Sequence, residues 1–491
     1  MALFHNEQLV KSIDGREMPL MKVISETLRF IADKALNKLK ETIGELPKEK
    51  IRWVLTVPAL WSEEHKMFMR KAAVQAEIIP HQNSDLLLLC LEPEGASISC
   101  REDSDDTLRK QMEKGTVVLV LDCGGGTVDI TVNKLNCNPE ETFLSEEVLP
   151  SSGGCEWGSK YVDQYFEEFL KDFFGPALFE TYNKNALARF EILKHFEILK
   201  RKFLPGVDER SRLQLSYLSE ELNASELAKL VNNYNQRASP QFQLKKRGSS
   251  CIDLPPELMI TFFQPLFDKI KAKVKELLEQ TKKKIGYGAK FIFMVGGFSE
   301  SPYLKKEIRN TFENNGITVL TPSRPQVSVI RGACMFGLNP RLITSRIAKK
   351  TYGINTLTTF DPERHPEEKK VVIEGEDFCE DVFDIFVKKG QSVGIDEILT
   401  KTYCPVRTKQ TLMKIIFYST DATDVEFVDE KGVSRLTELN IEIGKPFQTV
   451  EDKTVKVTLK FGTTHIQAIA TNKDSTEEKC NGHPYLPHPK R

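Results

Sequence analysis

VVLVLDCGGGTVDITV, residues Val117 to Val132, carries an apolar run into Asp122, three successive glycines at 124–126, Thr127, and a second run around Asp129. In the second run Val128, Ile130 and Val132 alternate with polar residues, the period of a strand, so the stretch is strand, glycine turn, strand. Without Cβ atoms on Gly124, Gly125 and Gly126, backbone N–H groups can approach a phosphate closely. Thr127 can add a hydroxyl, and Asp122 can hold Mg²⁺ through water. A dinucleotide fingerprint opens a helix after its glycines, and the strand that follows here excludes it. GxxxxGK[ST] is absent, which excludes a P-loop. Taken alone, the same turn is equally an ordinary hairpin.

Outward from this centre, a second glycine turn lies in FIFMVGGFSESPYL, residues 291–304, where an apolar strand meets Gly296 and Gly297 and Ser299 stands as a helix N-cap. Glycines here would let the backbone lie flat against a nucleobase or ribose, and the following helix start offers free N–H groups and positive potential. In isolation it is also a common strand-to-helix turn. Between the two turns, Glu197, Lys200 and Arg201 fall on one helix face, a pattern that by itself describes a solvated surface. The same helix, residues 185–204, contains a tandem FEILK at 190–194 and 196–200, too short a repeat for a solenoid.

Strands alternating with helices over the first 345 residues argue for an α/β sheet. The segment 18–44 has helical apolar spacing and stops at Gly44; 51–57 and 85–91 are short apolar strands; a long helix spans 255–285. Residues 101–115 are polar and are expected to be a loop or a frayed helix, and residues 236–251, polar and basic, a loop or tip. Beyond Tyr352, the segments 371–374, 382–388, 411–418, 424–428, 438–443 and 454–460 are short, rich in Val, Ile, Phe and Thr, and separated by turn residues, the texture of an antiparallel β-domain. The 69 basic and 70 acidic residues of the 491 leave a net charge of −1, so no global field favours nucleic acid or an anionic membrane. Ten scattered cysteines without CxxC point to reduced thiols and a cytoplasmic protein. No histidine or cysteine has zinc spacing.

VLTVPALWSEEHKMFMRKAA (54–73), LEPEGASI (91–98), LDCGGGTVDI (121–130), FEILKRKF (196–203), MVGGFSESPYL (294–304) and VIRGACMFGLNP (329–340) follow one another in an order that resembles the nucleotide-binding domain of the 70-kDa heat shock proteins. The likeness covers about residues 20–345. WVLTVPALW, LEPEGASI and RGACMFGLNP look most like the divergent twelfth branch of that family. The resemblance implies an actin-like ATPase (ribonuclease H-like) fold of two lobes over residues 1–350. A small antiparallel β-domain would follow over 351–471, with a disordered tail over 472–491. It implies ATP or ADP with Mg²⁺ as ligands. Asp122 would be the magnesium-associated aspartate and Glu92 the carboxylate near the metal, the two catalytic candidates. Gly124 to Thr127 would be a phosphate loop, Glu197, Lys200 and Arg201 an adenosine clamp, and Gly296, Gly297 and Phe298 the adenosine loop. The sequence departs from the family pattern at Leu204, Glu300 and Gln326, where the family has serine, arginine and aspartate.

The family also begins with a strand, a first phosphate loop and a lysine, none of which precedes the helix at residue 18. The first lobe is therefore expected to be incomplete, through an alternative start, a partial gene model or true loss. Losing one hairpin removes several charge-assisted hydrogen bonds of roughly 1.5–3 kcal/mol each, so weak or absent hydrolysis is expected. The functional expectation is an ATP-binding, chaperone-like cytoplasmic protein with polypeptide clients at its β-domain. The alternatives are a nucleotide-independent interaction protein on the same scaffold and a small-molecule kinase, which would need a carboxylate base beside a substrate hydroxyl.

Overall fold

The computed structural model describes residues 8–12, 15–137, 144–154, 156–207, 210–218, 222–395, 397–407, 409–443, 453–461 and 466–472. All but the first residue of the expected tail, 472–491, lies outside them. The protein is α/β with mixed sheets. The chain forms two compact units, one of Met1–Leu91, Thr142–Pro150 and Ala333–Arg491, the other of Glu92–Glu141 and Ser151–Gly332.

In the second unit the strands Thr318–Leu320, Phe291–Val295, Val117–Cys123 and Val128–Leu135 lie side by side. The first three are parallel and the last is antiparallel to its neighbour. Phe291–Val295 and Val117–Cys123 are buried along their whole length, which is why both read as unbroken apolar runs. Their register sets Val295 opposite Asp122. The strands therefore end together, and the glycine turn that follows each emerges at the same edge.

Helices pack on this sheet through an aromatic core. Lys160–Lys184, kinked where Gly175 (φ 72°) precedes Pro176, supplies Phe166, which stacks on Phe196 of the helix Ala186–Lys202 at 3.7 Å between ring centres. Phe262, on the long helix Pro256–Ile285, meets both rings edge-on. That helix starts with proline, ends on three lysines and closes with a left-handed Gly286, as dipole and capping rules require. Pro325–Leu338 crosses Glu92–Glu102 so closely that a Cβ on Gly332 would fall 1.7 Å from the Gly95 carbonyl oxygen. Gly95 of LEPEGASI and Gly332 of VIRGACMFGLNP thus mark a helix crossing.

The first unit contains the helix Leu20–Ile43, ended by Gly44 at φ 88°, and the parallel strands Trp53–Val57 and Leu87–Leu91. Helix Glu63–Gln75 opens with a capping box between Ser62 and His65. Its later residues form a five-stranded antiparallel sheet, with Thr351–Thr359 between Glu376–Val387 and Leu412–Thr420, and a three-stranded sheet of Glu397–Tyr403, Val455–Phe461 and Ile466–Asn472.

Two local expectations are corrected and a third is resolved between its alternatives. Residues 424–428 form no strand, only an isolated bridge from Phe427 to Val382. Residues 236–251 are not simply a loop: Lys245–Arg247 and Cys251–Leu254 pair as strands, fixed by charge because the buried Asp253 accepts from Arg212 and Arg247. In 101–115 the frayed-helix alternative holds: the preceding helix continues to Glu102 and Asp105 caps a short one, Asp106–Lys110. Arg101 is only 1% exposed, which its charge gave no reason to expect.

Candidate functional site

Within the second unit, the glycine turn after Asp122 and the one after Val295 open onto one hollow of about 510 Å³, its open mouth included. Gly125, Glu197, Lys200, Arg201, Gly297 and Phe298 line it. The two turns also touch behind it: a Cβ on Gly296, whose φ is 82°, would lie 2.4 Å from Asp122 Oδ1 and from the Cys123 carbonyl oxygen. Only glycine fits there.

The hairpin at 124–127 is oriented by the start of Lys160–Lys184. Ser159 and Lys160 donate their N–H groups to the carbonyls of Gly124 and Gly125, at 3.2 and 2.9 Å. A Cβ on Gly158 would meet the Gly125 carbonyl oxygen at 2.4 Å, so the approach is backbone on backbone. With two of its carbonyls so held, the turn keeps an internal bond from Gly124 N–H to the Thr127 carbonyl. Among the described residues, the N–H groups of Gly125, Gly126 and Thr127 donate to no other group. Gly125 is exposed and a side chain there would meet nothing within 4 Å. The Thr127 hydroxyl donates to Asp129 at 3.1 Å, so it faces the hairpin's own carboxylate.

The charged lining is set by Phe196. Its seat against Phe166 turns Lys200, 4% exposed, toward Asp163 of the neighbouring helix at 2.7 Å and Glu197 at 2.5 Å. Burial raises the Glu197 pKa, but hydrogen bonds from Lys200 and Arg201 outweigh it and hold the carboxyl below its ordinary value. For Asp163 burial wins over Lys200 and its pKa is raised. Arg201 binds Glu197 at 2.7 Å and reaches Glu300 at 3.8 Å. Asp163 and Ser159 were missed in the sequence because the helical apolar spacing around Asp163, with Val162, Phe166, Leu170 and Phe173 buried, marks a packed helix but no recognised motif, and nothing local says which polar group meets the hollow. Phe298 is buried, with its ring 6.2 Å from that of Phe267. Ser299 is not the helix cap: its hydroxyl donates to the Val295 carbonyl, and Ser301, one residue before Pro302, caps Pro302–Phe312.

Glu92 and Asp122 form a separate acidic group with Asp129. Burial, then Asp122 and Asp129, push Glu92 up to about 8; burial and Asp129 push Asp122 up to about 7. Such a cluster is short of positive charge. Among the described residues no three acidic, histidine or cysteine side chains are placed to hold a metal ion directly. No described helix is long and apolar enough to cross a membrane.

No family profile matches the chain. Individual proteins do. Human heat shock 70 kDa protein 12B is 30% identical over 94% of this chain and 75% of its own length, and human heat shock 70 kDa protein 12A is 28% identical over 93% and 74%. The chaperone protein dnaK of Cyanidium caldarium is 24% identical over 67% of this chain and 46% of its own length. Likeness of this extent to 12B, in a chain whose glycine turns converge on one hollow, means that the protein belongs to the 70-kDa heat shock protein family, in its twelfth branch.

Proposed function

We propose that the protein is a cytoplasmic, ATP-binding, chaperone-like member of its family, with an actin-like nucleotide-binding domain and weak turnover. The observation that carries this reading is the shared hollow: Gly125 on one side, Gly297 and Phe298 on another, and the Glu197, Lys200 and Arg201 clamp between. The free N–H groups of the hairpin suit phosphate oxygens, and the flat glycine backbone at 297 suits a ribose or base. Magnesium would supply the positive charge that the phosphates and the Glu92, Asp122 and Asp129 group call for, with Asp122 holding it through water. Lys200 keeps Glu197 and Asp163 in place, and Arg201 borders the base end. Polypeptide partners would engage the antiparallel sheets of residues 351–472, where Val372, Ile398 and Leu412 are exposed.

One observation favours a second reading, a nucleotide-independent interaction protein. The clamp charges already satisfy one another, Lys200 with two carboxylates and Arg201 with Glu197 and Glu300. Melting the purified protein with and without Mg·ATP separates the two. Under the first reading ATP raises Tm by several degrees and Asp122→Asn removes the rise; an unchanged Tm at millimolar ATP selects the second.

A further inference from the structure

We propose that Lys160 is a phosphate-binding residue of this site, its ammonium group contacting the polyphosphate of the bound nucleotide; the inference rests on the nucleotide reading and deepens it. Lys160 Nζ lies 3.8 Å from the point where a Cβ on Gly126 would stand, so the ammonium sits over the missing side chain at the tip of the turn. Its own N–H holds the Gly125 carbonyl at 2.9 Å. The residue that orients the hairpin thus also places a cation beside it.

The cation is available. Lys160 is exposed, rests against the Tyr161 ring at 5.0 Å, and makes no ion pair among the described residues. The other lysine near the hollow, Lys200, is buried between Asp163 and Glu197, and Arg201 is held by Glu197 and Glu300. Their charge is already neutralised, while three N–H donors and an unpaired ammonium converge at Gly125 to Thr127. An anion at this end would meet that ammonium first, and a lysine serves phosphate as a mobile point charge. The buried acidic group of Glu92, Asp122 and Asp129 makes such a charge more necessary, because a polyphosphate would otherwise approach like charge.

The experiment compares the full chain with Lys160→Met and Lys160→Arg, by calorimetric titration with Mg·ATP, tripolyphosphate and adenosine. The expected result is at least a tenfold loss of Mg·ATP and tripolyphosphate affinity in Lys160→Met, with adenosine affinity within twofold of the parent and much of the loss recovered in Lys160→Arg. The slope of log affinity for tripolyphosphate against log salt should also fall in Lys160→Met. Because the side chain is exposed, the ligand-free Tm should not change, and a matched Tm establishes that the variant is folded. Parent and Lys160→Met binding Mg·ATP equally would overturn the role of Lys160 and leave the nucleotide reading standing. Parent protein binding tripolyphosphate through Lys160 but neither Mg·ATP nor adenosine better would keep the anion site and overturn the nucleotide reading. No binding of any of the three by the parent would overturn both.

Discussion

Two glycines of the site are small for different reasons, and substitution separates them. A side chain at Gly125 would project into open space, so Gly125→Val should leave the ligand-free Tm within about 1 °C and block whatever occupies the hollow. At Gly296 a side chain would collide with Asp122 and Cys123 while φ stays at 82°. Gly296→Ala should therefore cost roughly 2–4 kcal/mol of stability, read by urea denaturation. Glu92 gives a pH test at the same scale. Its carboxyl is pushed from 4.5 to about 8 by burial and then by Asp122 and Asp129, so the folded state binds this proton more tightly than the unfolded chain. Stability from this group is greatest below pH 4.5 and declines as pH rises through the window up to 8. Without divalent metal, Glu92→Gln should be more stable than the parent at pH 8 by roughly 1–3 kcal/mol. Near pH 5 the two should be nearly equal. A variant that is less stable at pH 8 would mean that the carboxylate makes a favourable contact there.

The tandem FEILK shows what helical geometry does with a repeat. Six residues turn a helix by about 240°, so the copies cannot face the same way. Phe196 is fully buried against Phe166, whereas Phe190 is 60% exposed. Glu197 and Lys200 line the hollow, while Glu191 and Lys194 pair with each other away from it at 3.5 Å. Phe196→Ala should thus cost roughly 3–5 kcal/mol and Phe190→Ala less than about 0.5 kcal/mol, measured by equilibrium unfolding. Elements with a clear apolar period were legible in the sequence: the helices Leu20–Ile43 and Pro256–Ile285, and the buried strands Val117–Cys123 and Phe291–Val295. So were the two glycine turns, since glycine at a strand end has a local backbone meaning. What stayed hidden depends on partners distant in sequence. Asp163 and Lys160 acquire their places only when Ser159 and Lys160 bind the hairpin carbonyls. The strands Lys245–Arg247 and Cys251–Leu254 are ordered by arginines on Asp253, which no alternation of apolar residues announces. Ser301 could have been found, because Pro302 marks the first helical residue and makes the preceding serine the cap.

At the scale of the whole molecule, the chain visits its units out of order: residues 1–91 belong with 333–491, and 92–332 are made in between. The ties are specific. Arg52 donates to the Gly337 carbonyl at 3.3 Å, Lys349 donates to the Ala59 carbonyl, and a Cβ on Gly337 would press on Val54. On a ribosome, the strands Trp53–Val57 and Leu87–Leu91 therefore emerge long before the residues that complete their surroundings. Roughly 240 residues must be added meanwhile, on the order of 10–50 s of elongation. For that interval the nascent chain carries a half-finished apolar sheet, and its yield in a cell should depend on whatever shields that surface until translation reaches the far side.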